Sequence, residues 1–353
     1  MIDHMTEIVQ KQRIEYLDIA KGIGILLVVL GHCNAKPDWI THFVFSVHMP
    51  LFFILSGFTF SRKHLDHPGD FIKKSAKMLL VPYVISVAAV IVFQVIKASI
   101  WNGNPKYELI KWSLSGLYGS GARVPAFFEQ MGLPVTFIGA VWFLLALFFA
   151  RILLLAFLKT RTPALWVMIC FFAGYITSQK IGWFPFSIQA GCCAVLFLYI
   201  GFLIREKDLF RWDAVHWVVK LLMLLIWVYY FIFHGRLWFV SNTFSDGFVD
   251  IIGSICGTFV IVYLSQGMAK IRLFRSCLGW LGKASLGIMC ANLIVLDSWP
   301  ISKTVGFLSG LLHSSYFKAE VIMLFAATAL VTAAMYFIPW INRRMYPALF
   351  RDC

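Results

Sequence analysis

The sequence predicts an all-α membrane protein, a polytopic bundle of about ten transmembrane helices with both termini in the cytoplasm. Of the 353 residues, 60% are hydrophobic and only 14% are charged, so the chain is far more apolar than an average soluble domain. Apolar windows near the length of about 20 residues that crosses the hydrocarbon core recur along it. They leave no room for a soluble domain, so residues 1–353 are expected to form one membrane-embedded domain. The windows fall at residues 17–35, 41–60, 79–97, 136–157, 164–181, 186–204, 215–233, 248–266, 279–297 and 320–340.

The orientation of this bundle follows from its Lys and Arg residues. With a cytoplasmic amino terminus, 21 of the 31 basic residues fall in inner segments, nine fall in outer segments, and Lys220 lies inside a helix. The net charge of +14 then describes a basic inner surface facing anionic lipid. It requires no nucleic-acid partner.

Ionisable side chains interrupt the first two windows. Lys21 and His32 are eleven residues apart in LDIAKGIGILLVVLGH, which at about 100° per residue puts them on one helix face, roughly 16 Å apart along the axis. Such groups are costly inside a membrane unless they are used. We therefore expect a long ligand along this helix, with an anionic end near Lys21 and a reacting end near His32. The second helix is predicted to begin near His48, in HMPLFFILSGF, where solvation in the interface is an equally simple explanation for this histidine.

A basic cluster ends the inner connection SRKHLDHPGDFIKKSAK. Lys74 and Lys77 share a helical face at i, i+3, and Lys73 adjoins them. Lysines can hold nucleotide phosphates as point charges, but a cluster at this place is also the ordinary positive-inside flank. Both interpretations stay open.

The longest connection, residues 97–136, is predicted to lie on the outer side. Connections of this length in compact proteins are usually functional. Trp112, Tyr118 and Arg123 combine aromatic faces with hydrogen-bonding groups, which suits a sugar. Interfacial Trp and Tyr also anchor membrane proteins that bind no ligand there.

The later helices carry few polar side chains. Asn292 can tie two helices together by a hydrogen bond, and Arg151 and Lys220 are interpreted as snorkelling toward the membrane surface. The eight cysteines show no metal-binding spacing and are interpreted as small core residues, so no metal cofactor is expected. The glycine-rich stretches KGIGI and GSICG favour close helix packing.

The amino-terminal motifs resemble acyltransferase family 3 of membrane proteins, and most closely its branch described as fucose 4-O-acetylase-like. The family pattern of a basic residue, ten others and a histidine matches Lys21 and His32. HMPLFFILSGF matches the start of the family's second helix. In KKSAKMLLVPY, Lys74 and Lys77 occupy the place of the family's basic pair.

Two later stretches carry the same resemblance. AVWFLLALFF, which contains Trp142, is similar to the family's Trp-Phe-Leu helix, and LGKASLGIMCANLI is similar to its penultimate helix. Many members have a histidine near the end of that last motif, where this chain has Asn292.

The resemblance implies an O-acyltransferase of the bacterial inner membrane that moves acetyl from acetyl-CoA to a hydroxyl of a cell-envelope glycan or its lipid-linked precursor. A histidine such as His32 can take the proton of the acceptor hydroxyl and return one to the leaving thiolate, and acylation of the imidazole itself is a second route. The implied site has three sets of residues: His32, Lys21 and His48 for catalysis; Lys21, Lys73, Lys74 and Lys77 for the donor; and Trp112, Tyr118, Arg123, Trp142 and Asn292 for the acceptor.

Two other classes of protein fit the same sequence. An ion-coupled carrier also has a polar-lined bundle with buried histidine and lysine, although the chain lacks two similar halves. A membrane scaffold or sensor with a disabled site is the other alternative, because Asn292 replaces a family histidine. Whether the acceptor approaches from the outer side, toward His32 and His48, or from the cytoplasm is left open.

Overall fold

A computed structural model describes residues 14–349. Lys11, Arg13 and Arg351, which contribute to the predicted orientation, lie outside the described residues. Within them, one two-stranded antiparallel hairpin, β1 (Leu237–Trp238) and β2 (Thr243–Phe244), accompanies the helices. The α-helices are α1 (Glu15–Gly31), α2 (Asp38–Phe45), α3 (His48–Phe58), α4 (Lys63–Asp66), α5 (Pro68–Ile100), α6 (Pro105–Tyr118), α7 (Phe127–Gln130), α8 (Trp142–Phe157), α9 (Pro163–Lys180), α10 (Ile188–Glu206), α11 (Trp217–Phe233), α12 (Phe248–Ala269), α13 (Arg272–Ser298), α14 (Ile301–Leu311), α15 (Tyr316–Phe337) and α16 (Pro339–Met345).

The helices coincide with the apolar windows, and the second window is divided between α2 and α3. The prediction of a helical membrane protein is confirmed. The count of ten crossings stays a prediction, because the windows in α1, α9 and α11 are not among the stretches long and apolar enough to span a membrane. The cytoplasmic termini also stay a prediction. Seven helical stretches of the described chain are long and apolar enough to span a membrane: Asp38–Phe58, Pro68–Ile100, Gly139–Phe157, Pro185–Glu206, Phe248–Ala269, Arg272–Ser298 and Tyr316–Phe337.

The long outer connection contains a helix that the windows do not include. Asn104 caps the amino end of α6, where its side chain accepts a hydrogen bond from the Tyr107 amide at 3.1 Å, and Pro105 occupies the first turn. Gly119 ends the helix in the left-handed conformation, with φ of +68°. These are standard start and stop signals, so the segment is folded rather than a loose linker.

The most extensive helix contact in the described chain joins α1 to α13. Glu15 and Arg275 pair near the amino ends of the two helices at 3.8 Å. Further along, a Cβ atom at Gly282 would overlap the carbonyl group of Asp18, and one at Gly22 would overlap that of Leu278. Two glycines therefore let the backbones touch, as the KGIGI stretch predicts.

A second crossing of the same kind joins α3 to α10. A Cβ at Gly57 would overlap the Leu198 carbonyl, and one at Gly201 would overlap that of Ile54. Glycine thus brings α1 against α13 and α3 against α10. Both crossings place helices that carry site residues.

The β-hairpin lies between α11 and α12 and is fixed by buried polar contacts. His234 Nδ1 lies 3.1 Å from Asp246 Oδ2. Asp250 accepts hydrogen bonds from the Tyr230 hydroxyl at 2.7 Å and from the Asp246 amide at 2.9 Å. The connection between the strands packs into the bundle through Phe239.

We expect Gly282→Ala to destabilise the protein by about 1–3 kcal/mol, because the added methyl group forces α13 away from the α1 backbone. Thermal unfolding in detergent measures the effect. Gly279→Ala is the matched control on the same helix, since a Cβ there meets no atom within 4 Å. Equal melting temperatures for the two variants would contradict the close contact.

Candidate active site

A cavity of about 1620 Å³ extends through the bundle. Its lining includes α1 residues from Leu17 to Gly31, so it is elongated along that helix. Helices α3, α5, α8 and α13 supply further wall, and residues 238–240 of the hairpin connection also reach it. The cavity thus follows the ligand path that the spacing of Lys21 and His32 predicts.

Five predicted site residues line this cavity: Lys21, His32, His48, Lys74 and Trp142. They come from α1 and the turn after it, α3, α5 and α8. Tertiary packing therefore brings the first two helices and the Trp-Phe-Leu helix together around one space.

Within residues 14–349, the lining leaves out Lys73, Lys77 and four of the residues predicted to bind the acceptor. These four form hydrogen bonds within the protein instead: Trp112 bonds within α6, and the other three join separate elements. Trp112 donates to Glu108 at 3.1 Å, Tyr118 to the Trp183 carbonyl at 2.5 Å, Arg123 to the Ser178 carbonyl at 3.1 Å and Asn292 to Thr328 at 3.1 Å. The last of these bonds joins α13 to α15, the helix-tying role that the sequence allows for Asn292.

Two imidazoles lie at one end of the cavity. The Nδ1 atom of His48 is 2.8 Å from the Val44 carbonyl, and because a carbonyl only accepts, Nδ1 carries the proton. In the neutral ring, Nε2 is then free to accept a proton. His32, which follows α1 directly, lies close enough to His48 and Lys36 to interact with them electrostatically. This end can therefore transfer protons.

Glu320 of α15 holds the turn that follows His32. One carboxylate oxygen accepts from the Asn34 amide and the other from the Ala35 amide, both at 2.8 Å. Glu320 is only 1% exposed, whereas Asn34 and Ala35 are exposed, so a buried carboxylate holds a surface turn. The predicted site residues do not include Glu320, although an isolated carboxylate in an apolar helix is itself a sign of use.

The opposite end of the cavity is cationic. Lys21 and Lys283 line it from the paired helices α1 and α13. Asp18 lies 4.0 Å from Lys21 and partly balances its charge. The other cationic or imidazole groups there are Lys74, His64, Arg151 and Arg205.

Arg151 corrects one interpretation made from the sequence. It lies in the interior of α8, half-buried, rather than at a membrane end. Its guanidinium donates to Ser75 at 3.1 Å and to Ser56 at 3.2 Å, and it covers the ring of Phe71. The snorkelling interpretation is therefore wrong for Arg151, because hydrogen bonds inside the bundle hold it at the cavity.

His64 is surrounded by cations from three other helices. Burial lowers the pKa of its imidazole below the usual range, and Arg151, Lys74 and Arg205 lower this pKa further. Its Nδ1 accepts a hydrogen bond from the Ser61 amide at 3.2 Å, so the proton of the neutral ring is on Nε2. An anion placed among these groups would favour the protonated imidazole.

Comparison with known families agrees with this geometry. The model of acyltransferase family 3, described as an acyltransferase domain, matches residues 14–343. The chain belongs to this family and is a membrane acyltransferase. Comparisons with curated proteins and with solved structures gave no match. The family match confirms the resemblance at this level and decides between acyltransferase and carrier, while the fucose 4-O-acetylase-like branch stays a prediction.

We expect Glu320→Ala to loosen the turn after His32, because two backbone amides lose their carboxylate acceptor, at roughly 1 kcal/mol for each hydrogen bond. Hydrogen exchange followed by mass spectrometry should show faster exchange in peptides covering residues 33–36. Glu320→Gln keeps one acceptor oxygen and should have an intermediate effect. Lys318→Ala, an exposed neighbour on α15, is the control, and equal exchange in all variants would contradict the role of Glu320.

Proposed function

We propose that the protein transfers acetyl from acetyl-CoA to a hydroxyl of a cell-envelope glycan or its lipid-linked precursor, in a bacterial inner membrane. One observation carries the proposal: a single elongated cavity has cationic groups at one end and two imidazoles at the other. Acetyl-CoA has the matching polarity, with phosphates at one end of a flexible arm and a thioester at the other.

In this proposal the phosphates of the donor bind at the cationic end. Arginine guanidinium groups and lysine ammonium groups are the usual partners of phosphate. Lys73 and Lys77 are exposed on α5 beside Lys74, and they would attract the donor over a longer range. Lys21 is roughly 16 Å from His32 along α1, which favours donor binding over contact with the reacting carbonyl.

The thioester would then lie beside His32 and His48. His32 takes the proton of an acceptor hydroxyl as the oxygen attacks the acetyl carbonyl, and the bond from carbonyl to sulfur breaks. The imidazolium returns its proton to the departing thiolate. His48, whose ring is fixed by Val44, would orient the acceptor or share the proton. Asn292, which stands where many family members have a histidine, is outside the cavity lining. The cavity therefore keeps the imidazoles of His32 and His48 despite this difference.

The walls around the imidazole end support entry of the acceptor from the side opposite the donor. Phe137 and Gly139, just after the long outer connection, reach the cavity, as does Trp238 of the hairpin. Donor and acceptor would thus meet in the membrane from opposite faces, with both termini cytoplasmic. The aromatic side chains at this end, including Trp142, suit a sugar ring.

We expect His32→Ala to lower acetyl transfer at least about 100-fold, the usual contribution of a general base, while CoA still stabilises the protein. Transfer from labelled acetyl-CoA to envelope glycan measures the first effect, and a thermal shift with CoA measures the second. His313→Ala, an exposed histidine, is the control. Normal transfer by a well-expressed His32→Ala variant would exclude this residue as the base.

We also expect CoA binding to be accompanied by proton uptake at His64. The phosphates raise the lowered pKa of this imidazole in the complex, so CoA affinity should increase as the pH falls toward 6. Isothermal titration calorimetry in two buffers of different ionisation enthalpy counts the protons taken up. His64→Gln should remove the uptake, and His67→Gln, exposed three residues later, should keep it. Equal uptake in both variants would assign the proton to another group.

A further inference from the structure

One partly buried carboxyl group of the cavity has no role in the proposed reaction. Asp297, near the carboxyl end of α13, is part of the lining. Its Oδ2 atom is shielded from solvent and receives no hydrogen bond from the residues that the structure describes. A carboxylate oxygen removed from water is costly unless a donor reaches it. The residue as a whole is partly exposed, so a ligand in the cavity reaches Asp297 through its other carboxyl oxygen, Oδ1, rather than through the shielded Oδ2.

The helix pairing places Asp297 at the imidazole end. Asn292 of α13 bonds Thr328 of α15, and Tyr346, which lies against Gly287 of α13, bonds the Thr332 carbonyl of α15, so these two helices run in opposite directions. Asp297, five residues beyond Asn292, therefore lies toward the level of Glu320, which holds the turn after His32. The carboxylate is thus near the end of the cavity that the two imidazoles line.

The neighbours of Asp297 are backbone and aromatic groups. A Cβ at Gly139 would be 3.5 Å from Asp297 Oδ2, so the backbone of this glycine borders the carboxylate. Gln94 donates to the backbone carbonyl of Asp297 and fixes this end of α13. Phe137 lines the same cavity while 52% exposed. Packing does not require so exposed a ring at this position, and a ligand can use its face.

Charge at this place limits what the acceptor can be. Lys111 of α6 acts on Asp297 electrostatically, but Glu108 lies 3.8 Å from its ammonium group and shares that charge. A carboxylate accepts hydrogen bonds and repels anions. Lys36 also lines this end of the cavity, where its ammonium group donates to the Cys33 carbonyl at 2.6 Å. Either protonation state of the Asp297 carboxyl group can hydrogen-bond to a hydroxyl, and the ionised state repels anions, so the position favours a unit that presents hydroxyl groups and carries no acidic group.

We propose that Asp297 binds a hydroxyl of the acceptor, and that Asp297, Phe137 and Trp142 form a subsite for a neutral sugar unit. This inference rests on the proposed function, since it specifies the acceptor of that reaction. One hydroxyl of the sugar is held by the carboxylate while another lies at His32. Asp297 is a binding residue that selects and orients the acceptor.

The test uses Asp297→Asn in the host strain from which the gene has been deleted, with the variant supplied in trans. Asparagine keeps the shape but replaces an accepting oxygen with a donating amide. We expect the base-labile acetate on envelope polysaccharide to fall at least about tenfold, the effect of losing a hydrogen bond to a charged group. The thermal shift of the purified variant with CoA should stay at the wild-type value.

Two further variants keep the test decisive. Asp38→Asn changes an exposed carboxylate outside the cavity lining and should leave acetylation unchanged. Phe137→Ala removes a half-exposed ring without opening the core, and it should lower acetylation several-fold while CoA binding is retained.

Normal acetylation in both Asp297→Asn and Phe137→Ala would overturn the inference. Loss of the CoA thermal shift in Asp297→Asn would also overturn it, because Asp297 would then serve the donor or the fold. Failure of the proposed function is a separate result. It would appear in the wild-type protein, as absence of CoA binding or of acetate on the polysaccharide.

Discussion

The direct backbone contact between α1 and α13 is the constraint on which the rest of the site depends. Gly22 and Gly282 remove the two side chains that would hold these helices apart. The contact fixes the depth and the rotation of α1, and so the positions of Lys21 and His32. It also brings Lys283 to the same wall of the cavity. Small changes at this crossing would therefore be transmitted to both ends of the cavity at once.

Hydrogen bonds orient the ionisable groups that this packing buries. Arg151 donates to two serines, Glu320 accepts from two backbone amides, and His48 donates to the Val44 carbonyl. The bonds of Arg151 and Glu320 join groups that are far apart in the chain, and the bond of His48 spans about one helical turn. They fix the side chains of Arg151 and His48 and the backbone next to His32. Charged groups are rare in membrane interiors because they are costly there. Their gathering around one cavity is the physical reason to regard it as the site.

The long outer connection contributes to the site in a different way from the one its sequence suggests. Trp112 bonds within α6, and Tyr118 and Arg123 bond to carbonyls of residues 183 and 178. Phe137 and Gly139, just beyond this connection, reach the cavity instead. A folded segment with its own capped helix can hold such a wall rigidly. That rigidity suits a site in which two substrates must be held together while water is excluded.

The sequence by itself determined the helical membrane class, the family and the alignment of Lys21 with His32, because hydropathy and the helical repeat act within one segment. Only the tertiary structure decided which distant groups meet. His64, Arg151, Arg205 and Lys283 converge on Lys21 and Lys74, and Glu320 reaches the turn after His32. Helix periodicity fixes the relative direction of side chains along one helix but not the rotation of one helix against another. That rotation depends on packing contacts such as those of Gly22 with Leu278 and of Gly57 with Leu198, whose partners are more than 100 residues apart in the chain.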